Sequence, residues 1–150
     1  MEKALAGLRV LDFTTTIAGP HCTRLLADLG ADVTKVESPE GDMMRSRPPL
    51  RNGASSYFGQ LNAGKKSVVL DLKSPSAVTA ARRLAAGVDI LVENYRPGVM
   101  QRLGLGWDWF GPRKPSLVYC SISAFGQAGP RSTEGGFDLT IQAATGVMSV

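Results

Sequence analysis

The stretch from Leu8 to Glu37, LRVLDFTTTIAGPHCTRLLADLGADVTKVE, decides the fold. It opens on Val10 to Phe13, an apolar run short and branched enough to be a buried strand. Ala18 and Gly19 then lead into Pro20, whose fixed φ and missing N–H suit the first position of a helix. Cys22, Leu25, Leu26 and Leu29 recur at the spacing that places apolar groups on one helical face, and Gly30 is suited to close that helix. Ala31 to Glu37 reads as the next strand. A strand-helix-strand unit of this length makes its two strands parallel, with a right-handed crossover.

The pattern recurs further along. Ser67 to Leu72 is a strand, Ser74-Pro75 pairs an N-cap with proline at the first helical position, and Val78, Ala81, Leu84 and Ala85 form the buried face of a helix that Gly87 ends. Asp89 to Glu93 and Leu117 to Ile122 are two more apolar strands, and Gly98 to Leu103 is a helical turn. Ser38 to Gly53 and Ser123 to Gly136, rich in Gly, Pro and polar residues, are long surface loops. Phe137 to Val150 reads as a helix start, with Asp138 placed to favour its N-terminus through the macrodipole. No terminator precedes the last residue, so the chain is expected to stop inside an element, as a fragment. The expected fold class is α/β: a mainly parallel, Rossmann-like sheet flanked by helices.

Composition narrows the function classes. The chain has 150 residues, 43% hydrophobic and 20% charged, enough for a domain with a core. No apolar run approaches the ~20 residues of a membrane span, and the N-terminus lacks the apolar core of a signal peptide, so a cytoplasmic protein without membrane contact is the expectation. Cys22 and Cys120 have neither CxxC nor zinc-ligand spacing and read as reduced core thiols; no metal site is expected. The formal charge of +4 favours anionic partners, but the basic residues are scattered and no nucleic-acid module is present. A phosphorylated small molecule fits the charge better.

In open parallel sheets, ligands sit beyond the carboxyl ends of the strands, at helix N-termini. Thr14 to Gly19 occupy that place after the first strand. The turn is not GxGxxG, because no glycine occurs between Gly7 and Gly19, and this argues against a nicotinamide dinucleotide site. Asn94-Tyr95-Arg96-Pro97-Gly98 occupies the equivalent place after Glu93. Its amide can donate and accept hydrogen bonds, its ring offers a flat face to adenine, and its arginine can meet phosphate. On residue types alone, a polar turn capped by a partly buried tyrosine is the better explanation.

Several collinear motifs resemble the family III CoA transferases, a superfamily that includes formyl-CoA transferase, the carnitine CoA-transferases and the alpha-methylacyl-CoA racemases. They are Ala18-Gly19-Pro20, Leu25 to Val33, Lys35-Val36-Glu37, Gly41-Asp42 with Arg45, Asn62 with Lys65-Lys66-Ser67, Leu70-Asp71-Leu72-Lys73, Val92 to Gly98, and Gln142 with Gly146. The resemblance implies that coenzyme A or an acyl-CoA is a substrate, not a prosthetic group. It implies a nucleotide site at Thr16, Arg45, Leu70, Lys73, Asn94, Tyr95, Arg102 and Leu103. Arg45 and Arg102 suit phosphate because a guanidinium can bond it with two N–H groups.

The resemblance also implies covalent catalysis: an aspartate attacks the acyl-CoA thioester to give a mixed anhydride, and CoA passes to an acceptor carboxylic acid. The motif that carries this nucleophile follows the region matching Phe137 to Gly146 in the family, so the aspartate is expected beyond Val150 and the 150 residues alone are expected to be inactive. Asp138 matches a supporting carboxylate near the active site. Racemases of the superfamily use a histidine just before that position; Phe137 stands there, and the only histidine, His21, reads as a packed or capping residue. Ile17 and Ser38 replace a glutamine and an arginine of the formyl-CoA transferases, which leaves formyl-CoA and oxalate unassigned. Family members form interlocked homodimers, and the complete protein is expected to do so. A non-catalytic nucleotide-binding module is the competing reading.

Overall fold

The computed structural model describes residues Lys3 to Ser149. Val150, on which the expectation of an unfinished element rested, lies outside them. The elements run β1 (Arg9–Asp12), α1 (Ala18–Asp28), β2 (Asp32–Glu37), a 3-10 turn (Met43–Ser46), β3 (Leu50–Arg51), β4 (Ala54–Ser55), α2 (Ser56–Asn62) and β5 (Lys66–Val69). They continue through α3 (Pro75–Ala86), β6 (Ile90–Glu93), α4 (Val99–Arg102), α5 (Trp107–Phe110), β7 (Val118–Ser121), α6 (Asp138–Ala144) and a 3-10 turn at Val147–Ser149. β3 and β4 make a small antiparallel hairpin at the end of the first long loop, β4 lying just past Gly53, and the Tyr57 to Leu61 stretch is helical.

The main sheet has the order β5-β2-β1-β6-β7 and is parallel throughout. Counted along the chain, its strands lie 3-2-1-4-5, the doubly wound order in which the direction of winding reverses beside the first strand. The reversal falls between β1 and β6, where Val10 pairs with Ile90 and Asp12 with Val92.

Strand alternation sorts the core onto two faces. Val10, Val33, Val92 and Ala31 form one cluster, with Leu26 and Ala27 of α1 packed against it. Leu11, Phe13, Val36 and Leu91 belong to the other, with Ala81 and Ala85 of α3, Met100 of α4 and Phe110 of α5. Val10, Leu11, Val33 and Leu91 are fully buried, each contributing about 1.5 to 3 kcal/mol by leaving water.

α1 departs from its expected face. Gly19, Pro20 and Thr23 are buried, whereas Leu25 and Leu29 are half exposed. The reason is close approach: a Cβ at Gly19 would stand 2.3 Å from the Thr14 Cβ, so the helix meets the sheet through its small residues and turns those leucines outward. Pro20 is the third helical residue, after Ile17 as cap, still inside the turn where a missing N–H breaks no helical bond. Gly30 closes the helix as expected. At φ 108° it lets its own N–H reach Ala27 O at 3.0 Å and Ala31 N–H reach Leu26 O at 3.0 Å, a full Schellman closure.

In α3, Ala81 and Ala85 are buried but Leu84 is more than a third exposed, and the Ser74 hydroxyl pairs with Ser76 Oγ at 2.8 Å instead of capping the helix. Both cysteines are free and half-buried. Among the described residues no helix is long and apolar enough to cross a membrane.

Two glycine substitutions separate close approach from idle space. Gly19→Ala is expected to destabilise the protein by about 1 to 3 kcal/mol through overpacking. Gly59→Ala in α2, with nothing within 4 Å of its added carbon, should be neutral or stabilising by up to about 1 kcal/mol in the same denaturation assay.

Candidate functional site

On the α1 side of the sheet, each central strand changes from apolar to polar as it reaches its carboxyl end. Val10 is followed two residues on by Asp12, Val33 by Lys35 and then Glu37, and Val92 by Asn94. Asp12, Lys35 and Glu37 are buried. A buried charge is tolerated only when paired and hydrogen-bonded, and these are.

Asp12 Oδ1 accepts from the Thr14 N–H at 2.8 Å and the Thr14 hydroxyl at 2.5 Å. Its Oδ2 accepts from the Thr23 hydroxyl at 2.6 Å and Lys65 Nζ at 3.0 Å. Lys65 also donates to Pro20 O at 2.9 Å and Asn62 Oδ1 at 2.8 Å. Burial pulls the Lys65 ammonium below the usual lysine range, against the opposing pull of Asp12. Lys35 Nζ donates to Thr14 O at 2.6 Å and lies 3.0 Å from Asp42 Oδ2. That oxygen lies off the line of a directed hydrogen bond, so the contact is an ion pair held by charge.

At the end of β2, Arg45 forks onto Glu37, Nε to Oε2 at 2.6 Å and Nη2 to Oε1 at 2.7 Å. Ser67 Oγ and the Asp42 N–H add bonds of 2.6 and 3.1 Å to the same carboxylate. Arg45 holds the Glu37 carboxyl down at about 2. Glu93, at the end of β6, is buried and pairs with no cation among the described residues: its Oε2 accepts the Tyr95 N–H at 2.9 Å, and burial raises its pKa.

The switch point is stitched across by Asn94. Its Oδ1 accepts the Thr15 N–H at 2.8 Å, and its Nδ2 donates to Thr15 O at 2.8 Å. Thr16 follows at φ 71°, a conformation that β-branched residues rarely adopt.

The residues expected to form the nucleotide site are distributed as follows. Thr16 and Asn94 meet at the switch point through Thr15. Leu70, Tyr95 and Leu103 are partly buried and pack against one apolar cluster, the α3 side of the core. Arg102 is exposed at the end of α4, and its guanidinium folds back over Gly98, where a Cβ would stand 3.2 Å from Nη1. Lys73 is exposed in the turn after β5, its N–H bonded to Asp71 Oδ1 at 3.1 Å.

Two expected contributors stand differently. Arg45 lies at the correct edge, but its fork is already engaged by Glu37 and its plane covers the Phe58 ring at 4.0 Å. Asp138 is exposed on α6, a helix with no buried residue, and accepts from Gln142 Nε2 at 2.7 Å; none of the described contacts joins it to the others. His21 is exposed on α1, neither packed nor capping. Asp12, Lys35 and Glu93 are not among the residues expected from the sequence, although a charge two residues past a buried aliphatic residue, Val10, Val33 or Leu91, is a usable signal. No group of three metal-ligating side chains occurs among the described residues.

The model of CoA-transferase family III matches residues 5–150. This chain belongs to that family. It is 44% identical over 150 residues to succinyl-CoA:glutarate CoA-transferase of Mus musculus, covering 99% of this chain and 34% of the relative. It is 42% identical over 148 residues to formyl-CoA:oxalate CoA-transferase of Streptomyces coelicolor, covering 98% of this chain and 36% of the relative. A solved CAIB/BAIF family protein from Brucella suis superposes with a TM-score of 0.93 at 37% identity, over 100% of this chain and 41% of that one. The chain thus spans about a third of the length of these curated family III relatives.

The Glu37–Arg45 fork has a pH signature. A carboxyl depressed from 4.5 to about 2 contributes stability that is present above pH 4.5 and lost as pH falls toward 2. Denaturant titration from pH 6 to 2 should show Glu37→Gln losing less stability than the parent over that window, by about 2 kcal/mol after discounting for the half-exposed Arg45.

Proposed function

We propose that the carboxyl edge of the sheet, centred on the β1/β6 switch point, binds the nucleotide portion of coenzyme A, and that the complete protein moves CoA from an acyl-CoA to a carboxylic acid. The observation that carries the reading is the convergence of Thr16, Asn94, Tyr95 and Leu70 at the carboxyl ends of β1, β6 and β5, in a chain of this family. Tyr95 and Leu103 supply an apolar wall for a purine ring; Arg102 and Lys73, both exposed, supply cations for phosphate. Arg45 serves the site by holding Glu37 and the loop after β2, with a phosphate reaching it only if the fork opens.

In the proposed reaction an aspartate outside residues 1–150 attacks the thioester carbonyl. The C–S bond breaks, CoA leaves as thiolate, and a mixed anhydride remains; the thiolate attacks the aspartyl carbonyl of that anhydride, which releases the donor carboxylate and leaves an aspartyl-CoA thioester. The acceptor carboxylate then attacks this thioester and expels the thiolate again, and the thiolate attacks the acceptor carbonyl of the second anhydride, forming the new acyl-CoA and freeing the aspartate. Backbone N–H groups stabilise the oxyanions. The similarity to succinyl-CoA:glutarate CoA-transferase makes dicarboxylates such as succinate and glutarate the first acids to test. These residues alone then bind CoA without turning it over, and the complete protein acts as a homodimer. Phe137, exposed and without a titrating proton, speaks against a racemase.

Calorimetry with CoA, and CoA-exchange assays on the complete protein with a panel of acyl-CoAs and acids, test the reading. Micromolar to millimolar binding and exchange are expected, with Asn94→Ala weakening CoA roughly tenfold or more. CoA binding without exchange on any acid would favour the non-catalytic module. No heat at millimolar CoA from folded protein would end the proposal.

A further inference from the structure

Lys65 and Lys35 lie beneath the β1-α1 turn, where a lysine invites assignment to a phosphate. Their geometry argues otherwise. The three donors of the Lys65 ammonium meet Asp12, Pro20 O and Asn62 at 2.8 to 3.0 Å. Lys35 gives one bond to Thr14 O and faces Asp42. All four side chains of the two pairs are at most 2% exposed. Two cations and two carboxylates cancel, so the group presents no net charge to an anion above it.

What the group holds is backbone. Asp12 takes the Thr14 N–H and Lys35 takes the Thr14 carbonyl, while Asn94 takes both polar groups of Thr15. Two successive residues are therefore fixed on both sides by side chains from the ends of β1, β2 and β6. Thr16, next in line, is left at φ 71°, a conformation that persists only where the surroundings over-determine it. Apolar side chains of similar volume would serve stability as well as buried ion pairs commonly do, but they could not grip the Thr14 main chain.

We propose that the Lys35–Asp42 and Lys65–Asp12 pairs are positioning residues that lock the β1-α1 turn in the conformation facing the CoA nucleotide. The proposal rests on the nucleotide site proposed above. Its consequence is a separation between stability and binding: a charge-balanced replacement keeps the fold and loosens the turn.

The test is Lys35→Met/Asp42→Asn in the complete protein, where the amide oxygen introduced at position 42 can still accept from the Met44 N–H now bonded to Asp42 Oδ1. Expected are a folded protein whose thermal midpoint falls by only a few degrees, the mark of one orphaned Thr14 carbonyl, CoA affinity lowered roughly ten- to a hundredfold, and faster amide exchange at Thr14 and Thr15 while β1 and β6 stay protected. A stable double variant with parental affinity and exchange would overturn the lock while leaving the CoA site standing. A parent that binds no CoA would overturn the site itself. The lock also stands or falls on the parent alone: Thr14 and Thr15 amides should exchange as slowly as those of β1, and exchange at surface-loop rates would contradict it even if the variant fails to fold.

Discussion

Asp12 carries a negative charge into the centre of the sheet at zero exposure, and the surrounding residues supply every donor it needs. Thr14 and Thr23 bring hydroxyls from the turn and from α1, and Lys65 brings the compensating cation from the segment before β5. Desolvating a carboxylate costs several kcal/mol, so the pieces are bound to arrive together. The carboxylate thereby ties β1, α1 and the β5 approach into one unit. The Gly19 contact follows from the same demand, because Thr14 and Thr23 can share Asp12 only if the helix lies very close to the turn.

The parallel topology gives this knot its place. Winding reverses between β1 and β6, so the loops after these two strands diverge to opposite faces and leave a crevice at their carboxyl ends. Asn94 spans that crevice with two hydrogen bonds to Thr15. Leu70, Tyr95 and Leu103 pack against the apolar core, the Asp12–Lys65 and Lys35–Asp42 pairs are buried, and Lys73 and Arg102 are exposed, residue types suited to a ligand with both a ring and phosphates. This arrangement supports the proposed binding of the CoA nucleotide along the carboxyl edge of the sheet, in a chain of CoA-transferase family III.

The α/β class, the parallel sheet and the helix closure at Gly30 were legible in the sequence because each depends on local residue chemistry: branched apolar runs, a proline in a first turn, a glycine at positive φ. The buried face of α1 was not. Hydrophobic spacing favoured Leu25 and Leu29, but the close packing set by Gly19 and Thr14 overrode it. Asn94, matched by motif, and Thr16, beside the matched turn, do lie at the carboxyl edge; the grip of Asp12 and Lys35 on the neighbouring Thr14 main chain was not legible, since these two residues are far apart in sequence and meet only through strand register. Arg45 shows the converse limit. Its residue type suits phosphate, but a buried Glu37 eight residues away claims its fork first.

The most direct test is a crystal structure of the complete protein with coenzyme A. The account predicts the adenosine and phosphates across the β1/β6 switch point, over Thr16, Asn94 and Tyr95, with Thr16 still at positive φ and the Asp12–Lys65 pair intact. Coenzyme A bound away from the carboxyl edge of the sheet, or a β1-α1 turn rebuilt around it, would contradict that account.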